Sequence, residues 1–332
     1  MEGTHVRDLF DRAEKAAGAR SGLRAIGDIA PKVTAVQKRL LDVAVNIRQD
    51  APDDLLFQHS VLTQTHLPAK RPPEDVLSWH RQQGRAVLLI EAGKAYHTTR
   101  QEWVQLGLPF GPKARLILMH LNSEAIRTQS PLISAGSSLT SFVRRIQGHD
   151  PTGPEIRAFK EQLSRLASAT VRLAITEGER AMQVDTKVIG AFDLWFPRDE
   201  NQRVLWPGTV RLSLDYFESL SRYAVPLDER AIAALAHSAL ALDVYCWLAQ
   251  RLHRIPQGRG QLVPWASLYE QFGQGYAATR FFRRDMLKTL TLVKAVYQAA
   301  RFDVDRRGLI VWTSPTPVAT RLVVLPPRQI DL

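Results

Sequence analysis

Two segments of the sequence predict the same order of structural elements, and this repetition constrains the fold more than any other feature. In each segment, apolar spacing and cap residues predict a helix, a short strand, a second helix, a turn, a third helix and a hairpin. This order is typical of a winged helix-turn-helix, whose third helix can enter a DNA major groove. We therefore expect an α+β, mainly α protein with two tandem winged helix-turn-helix domains and an N-terminal appendage.

The first segment follows the Pro109 and Pro112 helix breakers. Helices are predicted over Ala114–Thr128, Ser138–Gln147 and Pro154–Ser168, and strands over Ser130–Gly136, Ala169–Thr176 and Thr186–Phe196. The intervening sequence EGERAMQ is expected to form the tip of the hairpin.

The second segment repeats the order, although the two segments share little identity. The pattern predicts a leading helical stretch over Leu227–His253, a strand over Gln261–Val263, helices over Pro264–Phe272 and Thr279–Lys294, and a hairpin turning at Asp305–Gly308.

These segments imply four zones along the chain. Residues 1–84 are predicted to be an N-terminal variable or linker region, with a helix around Val33–Ile47 and a turn-rich stretch over Pro68–Asp75. We expect residues 85–200 to form the first winged-helix domain, with a role in dimerisation or accessory DNA contact. Residues 201–320 would form the main DNA-binding domain, followed by a tail over 321–332.

Charge indicates the class of partner. Lysine and arginine outnumber aspartate and glutamate 44 to 33, which gives a net charge of +11 and a pI near 10.0. This balance favours a polyanion such as nucleic acid or an acidic membrane surface. A membrane role would require a long apolar face carrying tryptophan beside the basic face, and the sequence offers none. The chain has no run of about 18 apolar residues and its N-terminus lacks a signal peptide, so we expect a cytoplasmic protein.

Helix Thr279–Lys294 concentrates this positive charge. Phe282, Met286, Leu290 and Val293 recur at the spacing of one apolar face, whereas Arg280, Arg284 and Lys288 stack on the other, with Arg283 and Lys294 beside them. Like charges at this spacing repel unless they face an anion. Residues 251–307 contain eleven basic and four acidic residues, a net charge of +7. A solvated cationic face is the alternative interpretation of such a run.

We predict that both units contribute to the DNA-binding surface. In the second unit its residues are Thr279, Arg280, Arg283, Arg284, Lys288, Arg259, Arg306 and Arg307. In the first unit they are Arg144, Arg145, Arg157 and Lys160. The third helix of the first unit has a mixed charge, so that unit is expected to bind the DNA backbone weakly or to serve as a dimer surface.

The sequence predicts no enzyme and no catalytic, cofactor-binding or metal-binding residues. GLPFGPK, over Gly107–Lys113, lacks the glycine spacing and the Lys-Ser/Thr pair of a phosphate loop. No histidine pair suits a rolling-circle nickase, and His120 and His237 fall in helix patterns typical of structural histidines. The single Cys246 excludes an internal disulfide and a multi-cysteine zinc site. A nickase and a two-winged-helix transcription regulator remain the alternative functions.

Four sequence blocks resemble the plasmid-encoded RepA replication initiators. They are GLPFGPKARLILMHLNSEAIRTQSPLISAGSSLTSFVRRIQ from Gly107, VRLSLDYFESL from Val210, VPLDERAIAALAHSALALDVYCWLAQRL from Val225 and VPWASLYEQFG from Val263. The resemblance extends over roughly Gln101–Trp312. It implies a bacterial, plasmid-encoded cytoplasmic protein that binds double-stranded DNA repeats, called iterons, at a plasmid origin.

The same resemblance implies further properties of the initiator. Such a protein would help to melt adjacent AT-rich DNA and would recruit host helicase and primosome proteins. It would also exist in a monomer–dimer equilibrium, in which the monomer binds iterons and the dimer represses, and so would contribute to the control of plasmid copy number.

Overall fold

The computed structural model describes residues 35–50, 52, 54–97, 100–177, 180–191 and 208–318. Its helices are α1 (Ala35–Gln49), α2 (Leu62–Thr65), α3 (Gly111–Thr128), α4 (Leu139–Gln147), α5 (Gly153–Ser168), α6 (Leu214–Tyr223), α7 (Glu229–Leu235), α8 (Ala239–Arg251), α9 (Trp265–Phe272) and α10 (Thr279–Val296). A 3-10 turn over Leu252–Arg254 follows α8.

The strands are short, and every pairing between them is antiparallel. They are β1 (Leu55–His59), β2 (Ser78–Gln83), β3 (Ala86–Glu91), β4 (Lys94–His97), β5 (Glu102–Gln105), β6 (Leu132–Ser134), β7 (Thr170–Glu177), β8 (Arg180–Thr186), β9 (Ile189–Ala191), β10 (Thr209–Leu212), β11 (Ala224–Asp228), β12 (Gln261–Pro264), β13 (Phe302–Val304) and β14 (Gly308–Val311). The sheets have the orders β1-β11, β2-β3-β7-β8, β4-β5, β6-β10-β9 and β12-β14-β13. The protein therefore has a mixed fold of helices and antiparallel sheets. None of the described helices is long and apolar enough to cross a membrane.

The second unit, residues 239–311, has the predicted order α8, β12, α9, α10, β13 and β14. Strand β14 lies between β12 and β13, and the turn of the hairpin is closed by a hydrogen bond from Asp305 N to Gly308 O of 2.8 Å. A side chain at position 308 would place its Cβ 2.0 Å from the carbonyl oxygen of Val263. Glycine is therefore required where β14 begins, because a Cβ atom would prevent the pairing of β14 with β12.

The leading helical stretch of this unit differs from the prediction. Residues 224–228 form β11, and the remainder divides into α7 and α8. Asp228 caps α7 by accepting a hydrogen bond from Arg230 N at 2.9 Å, and Ser238 caps α8 by accepting one from Ala241 N at 3.2 Å. Each cap supplies an acceptor for the free N–H groups of a new helix, so the continuous apolar pattern does not form one helix.

The first unit, residues 111–186, has the predicted order α3, β6, α4, α5, β7 and β8, but its strands pair differently. Strand β6 pairs with β10, whereas β7 and β8 continue the sheet formed by β2 and β3. The prediction that EGERAMQ forms the hairpin tip is wrong beyond position 179. Glu177 pairs with Arg180, so β8 contains residues 180–186. The longer ladder satisfies backbone groups that a loop would leave to the solvent.

The remainder of the predicted strand Thr186–Phe196 is also divided. Residues 189–191 form β9, which pairs with β10 instead of β7, and residues 192–196 lie outside the described part of the chain. Strands β6 and β9 therefore both flank β10, which comes from the part of the sequence assigned to the second domain.

Residues 55–83 were expected in the N-terminal linker, and they instead form part of the folded body. Strand β1 pairs with β11, β2 pairs with β3, and Val61 is fully buried. Helix α1 agrees with the predicted helix to within two residues at each end, and Gln298 Nε2 near the end of α10 donates to Ala44 O in α1 at 2.7 Å. These strands are held in the fold by pairing with later segments, which local sequence patterns do not reveal.

A buried ion pair connects the two units. One continuous apolar core extends from Val61 to Val311. Within it, Arg115 of α3 binds Asp243 of α8 through Nε–Oδ1 and Nη2–Oδ2 contacts of 2.7 Å each. The guanidinium group also donates to three carbonyl oxygens, those of Leu67, Pro68 and Gly111. The hydrogen-bonded guanidinium group thus joins the N-terminal segment to both units.

Candidate nucleic-acid interface

Helix α10 positions the main candidate surface by burying its opposite face. Phe282, Met286, Leu290 and Val293 are at most 3% exposed, and they anchor the helix in the core. This burial agrees with the face that the sequence predicted. The remaining side of the 18-residue helix is consequently directed away from the core.

The exposed side carries the predicted cations. Thr279 begins the helix, and Arg280, Arg284 and Lys288 follow it at the surface. Arg280 and Arg284 both lie over the ring of Phe281, with their guanidinium carbons 4.8 and 5.8 Å from its centroid. The two guanidinium groups are therefore on the same side of α10. Among the described residues, no carboxylate forms a salt bridge with Arg280, Arg283 or Lys288.

Arg284 does have an acidic neighbour. Its Nε atom lies 2.9 Å from Oδ1 of Asp285, and the hydrogen bond from Arg284 lowers the pKa of Asp285. Asp285 therefore remains ionised at neutral pH. The contact uses Nε, and 61% of the Arg284 side chain remains exposed. The pair is thus a surface contact that leaves the guanidinium group open to a second anion.

The hairpin turn adds two exposed cations, Arg306 and Arg307. Nε of Arg307 contacts Oδ2 of Asp305 at 3.2 Å, while 72% of the Arg307 side chain remains exposed. Arg307 holds the pKa of Asp305 below its usual range through this hydrogen bond. Arg259 is also exposed, two residues before β12.

Trp265 connects this turn to α10, a role that the sequence did not reveal. Its backbone N donates to Arg307 O at 3.0 Å, and its indole Nε1 donates to Asp305 O at 3.2 Å. The guanidinium carbon of Arg283 lies 4.9 Å from the centroid of the indole ring. Trp265 is itself a buried residue of the core. Its indole also fixes the position of the turn relative to the flank of α10, because it contacts both.

Lys294 does not belong to the exposed surface, contrary to its predicted place beside the cationic column. Its Nζ donates to the carbonyl oxygens of Gln298, at 3.0 Å, and of Ala300. Partial burial lowers the pKa of this amine. The side chain therefore binds carbonyl groups of the turn that follows α10, near the C-terminal end of the helix, where a cation is favourable.

The predicted residues of the first unit lie in a different charge environment. Arg144 forms a salt bridge with Asp150, and Arg145 Nη1 donates to Ser134 O at 3.4 Å. On α5, Arg157 is exposed and Lys160 is half-buried.

Neighbouring cations of α5 are paired within the protein. Arg165 Nη2 contacts Glu161 Oε1 at 2.9 Å, and Arg71 binds the same carboxylate. The structure therefore brings together the second-unit residues of α10 and the hairpin through Trp265. In the first unit, Arg144 is paired with Asp150, and α5 carries acidic residues beside its basic ones.

The described residues contain no group of three or more histidine, cysteine, aspartate or glutamate side chains arranged to hold a metal ion. Burial lowers the pKa of His59 to about 3 and the pKa values of His66 and His120 to about 4, so all three are neutral at pH 7. Burial raises the pKa of the Cys246 thiol, which therefore stays protonated. His237 was expected inside a helix and instead lies exposed in the turn between α7 and α8.

Comparison with known proteins identifies a family for the central part of the chain. Residues 108–267, just under half of the sequence, match the family model described as "Plasmid encoded RepA protein". The resemblance predicted from the sequence is confirmed over this range, which includes the first unit and the start of the second. Helix α10 and the hairpin β13–β14 lie outside it. A search of curated proteins finds no match.

Two solved structures that align with this chain contain domains 2 and 3 of RctB. The selenomethionine form aligns with a TM-score of 0.47 and 9% sequence identity, over 77% of this chain and 96% of that chain. The other crystal structure of these domains aligns with a TM-score of 0.45 and 10% identity, over 76% of this chain and 94% of that chain.

Proposed function

We propose that this protein is a plasmid replication initiator that binds iteron repeats in duplex DNA at its origin and promotes melting of the adjacent AT-rich DNA. The family match over residues 108–267 supports the assignment to initiators. The observation that carries the DNA-binding surface is the alignment of Arg280, Arg284 and Lys288 on the exposed side of α10. Recruitment of host helicase and primosome proteins belongs to the same proposal.

The second unit would act as a winged helix. Duplex DNA carries one negative charge per ~1.7 Å of its axis, and side chains four residues apart on a helix lie roughly 6 Å apart. Cations at this spacing can reach phosphates or guanine edges when α10 lies in the major groove. The N-terminal end of α10 also presents free N–H groups to an anion.

The hairpin would contact the backbone beside that groove. Arg306 and Arg307 are exposed at its turn, and Trp265 contacts both the turn and Arg283 of α10. Phosphate contacts of this kind fix the register of a protein on DNA but carry no base information. Arg259, exposed two residues before β12, would add one more contact.

The first unit would contribute weaker contacts. Arg144 is paired with Asp150, and the helix that carries Arg157 and Lys160 also carries two glutamates, which reduces the attraction of this surface for phosphate. We assign it to accessory backbone contact or to the interface of a dimer that exchanges with the DNA-binding monomer.

The experiment is fluorescence anisotropy with overlapping duplexes that tile the DNA flanking the gene, followed by permanganate footprinting of the bound supercoiled plasmid. An initiator binds repeated sites in preference to a scrambled duplex of equal length, and it makes thymines of the neighbouring AT-rich segment reactive. Equal affinity for the scrambled duplex would contradict sequence-specific binding. Specific binding without permanganate reactivity would indicate a transcription regulator, and a covalent tyrosyl-DNA product would indicate a nickase.

A further inference from the structure

Phe281 is a large apolar side chain on the cationic side of α10. It is 39% exposed, whereas the adjacent Phe282 is completely buried. Phe281 lies three residues before Arg284 and seven before Lys288, so helical spacing places it beside both cations. An aromatic ring left in water at this point loses the stabilisation that burial would provide. Its position suggests a partner outside the protein.

The two arginines hold the ring in place. The guanidinium carbons of Arg280 and Arg284 lie 4.8 and 5.8 Å from its centroid, within the range of cation–π contacts. The contacts restrict both long side chains, so less rotamer freedom is lost when they bind an anion. Ring and cations therefore form one preorganised group near the N-terminal end of α10.

We propose that Phe281 determines sequence specificity by packing against the C5-methyl group of a thymine at the site where Arg280 and Arg284 bind DNA. This inference rests on the proposed function. The thymine methyl is the apolar group that the major-groove edge of a base pair presents, and an aromatic side chain can cover it. Cytosine carries hydrogen at the same position and would leave the exposed ring without this contact.

The test removes only the methyl group. Each thymine of the best-binding duplex is replaced singly by deoxyuridine, which keeps the base pair, and affinities are measured for the wild type and for Phe281→Ala. For the wild type we expect one position at which deoxyuridine weakens binding by about 3- to 10-fold, the value of roughly one buried methyl group. For Phe281→Ala the loss at that position should disappear, while the other positions keep their wild-type response.

Two further variants keep the test decisive. Phe281→Gln retains a helix-compatible side chain without the apolar ring, and it replaces Phe281→Ala in the test if that variant folds poorly. It should also abolish the deoxyuridine effect. Leu132→Ala removes another exposed apolar side chain, on β6 in the first unit, and should leave the effect intact.

The outcomes distinguish this inference from the proposed function. If the wild type binds its duplex specifically but no deoxyuridine effect depends on Phe281, the thymine contact is wrong and the initiator assignment stands. If the wild type binds no duplex in preference to a scrambled one, the proposed function itself fails, and this inference fails with it.

Discussion

The third helices of the two units, α5 and α10, occupy the same place in the element order but differ in how their cations are partnered. On α5, Arg165 is paired with Glu161, which also binds Arg71. Arg157 and Lys160 form no salt bridge with the described residues, but the helix carries two acidic residues among its three basic ones. On α10, Arg280 and Lys288 form no salt bridge with the described residues, and the Arg284 side chain remains 61% exposed beside Asp285. Element order alone therefore does not identify a DNA-binding helix, because partnering decides whether a positive charge is available to a ligand.

Interaction energies also favour α10 over α5 as the helix that binds an anion. Partly exposed ion pairs such as that of Arg71 and Glu161 typically stabilise a protein by only ~0.2–1 kcal/mol, so their main consequence is to neutralise the local potential. The cations stacked on α10 repel one another, and binding a polyanion relieves that repulsion. Arg115 differs most from the α10 cations, because its charge is buried and is paired with Asp243.

The largest effect is expected at Arg115. Arg115→Ala leaves Asp243 buried without its partner, so we expect the free energy of unfolding to fall by about 3–5 kcal/mol. Urea denaturation followed by circular dichroism measures the change. Arg157→Ala, at an exposed position on α5, is the control and should change stability by less than ~0.5 kcal/mol. Equal decreases in the free energy of unfolding for the two variants would contradict the distinction between an arginine paired inside the protein and an arginine exposed to a ligand.

Acidic pH should destabilise the protein, because His59, His66 and His120 are buried with lowered pKa values. Below pH 6.5 these histidines become protonated in the unfolded chain, whereas in the folded protein they stay neutral until the pH approaches their lowered pKa values. Stability is therefore fully present above pH 6.5 and falls as the pH decreases towards 4. We expect a loss of about 2 kcal/mol per histidine between pH 6.5 and 5.

Thermal melts between pH 5 and 7.5 measure this loss. His120→Phe should reduce the pH dependence, because the ring contacts Phe142 and its Nε2 atom has no hydrogen-bond partner among the described residues. A melting temperature that stays constant from pH 7 to 5 would contradict the assignment of neutral buried histidines.

Arg307→Ala should weaken binding by about 5-fold on every duplex, specific or scrambled, because a phosphate contact carries no base information. Arg144→Ala removes an arginine that is paired with Asp150 and should have a smaller effect. Anisotropy titrations of both variants on both duplexes provide the comparison. A loss confined to the specific duplex would show that Arg307 reads a base instead.

The smallest expected difference is in the salt dependence of DNA affinity. With about six cations on phosphates, log affinity plotted against log salt should have a slope near −5 for the wild type. Lys288→Ala should make the slope shallower by about 1, and Lys160→Ala on α5 should leave it nearly unchanged. A flat response for the wild type would indicate that the cations do not meet DNA phosphates.

Much of the local structure could be predicted from the sequence because its determinants are local. The apolar stripe of α10, the serine cap of α4 and the turn at Gly308 each depend on residues within a few positions of one another. Strand β11 was missed because it is stabilised by pairing with the distant β1, whereas the division between α7 and α8 depends on the local caps Asp228 and Ser238. Pairing with distant segments also explains the integration of residues 55–83 and the exchange of β6 into a sheet with β10.

The candidate site could be predicted in part. The four-residue spacing of Arg280, Arg284 and Lys288 determines their common side, because helix geometry is independent of the rest of the fold. Spacing could not show that Lys294 binds carbonyl groups that follow its own helix, or that Trp265 links the hairpin turn to α10. Both are contacts between elements, and an indole at the start of a helix after a strand is the only local signal for the second.

The most direct test of the central claim compares charge reversal on the two third helices, Arg284→Glu on α10 and Arg157→Glu on α5, with one origin duplex and one ionic strength. Both residues are exposed, so both variants should fold as the wild type does. We predict that Arg284→Glu weakens specific binding by about 100-fold or more and that Arg157→Glu weakens it by less than about 5-fold. Equal losses, or a larger loss for Arg157→Glu, would contradict the assignment of α10 as the DNA-binding helix.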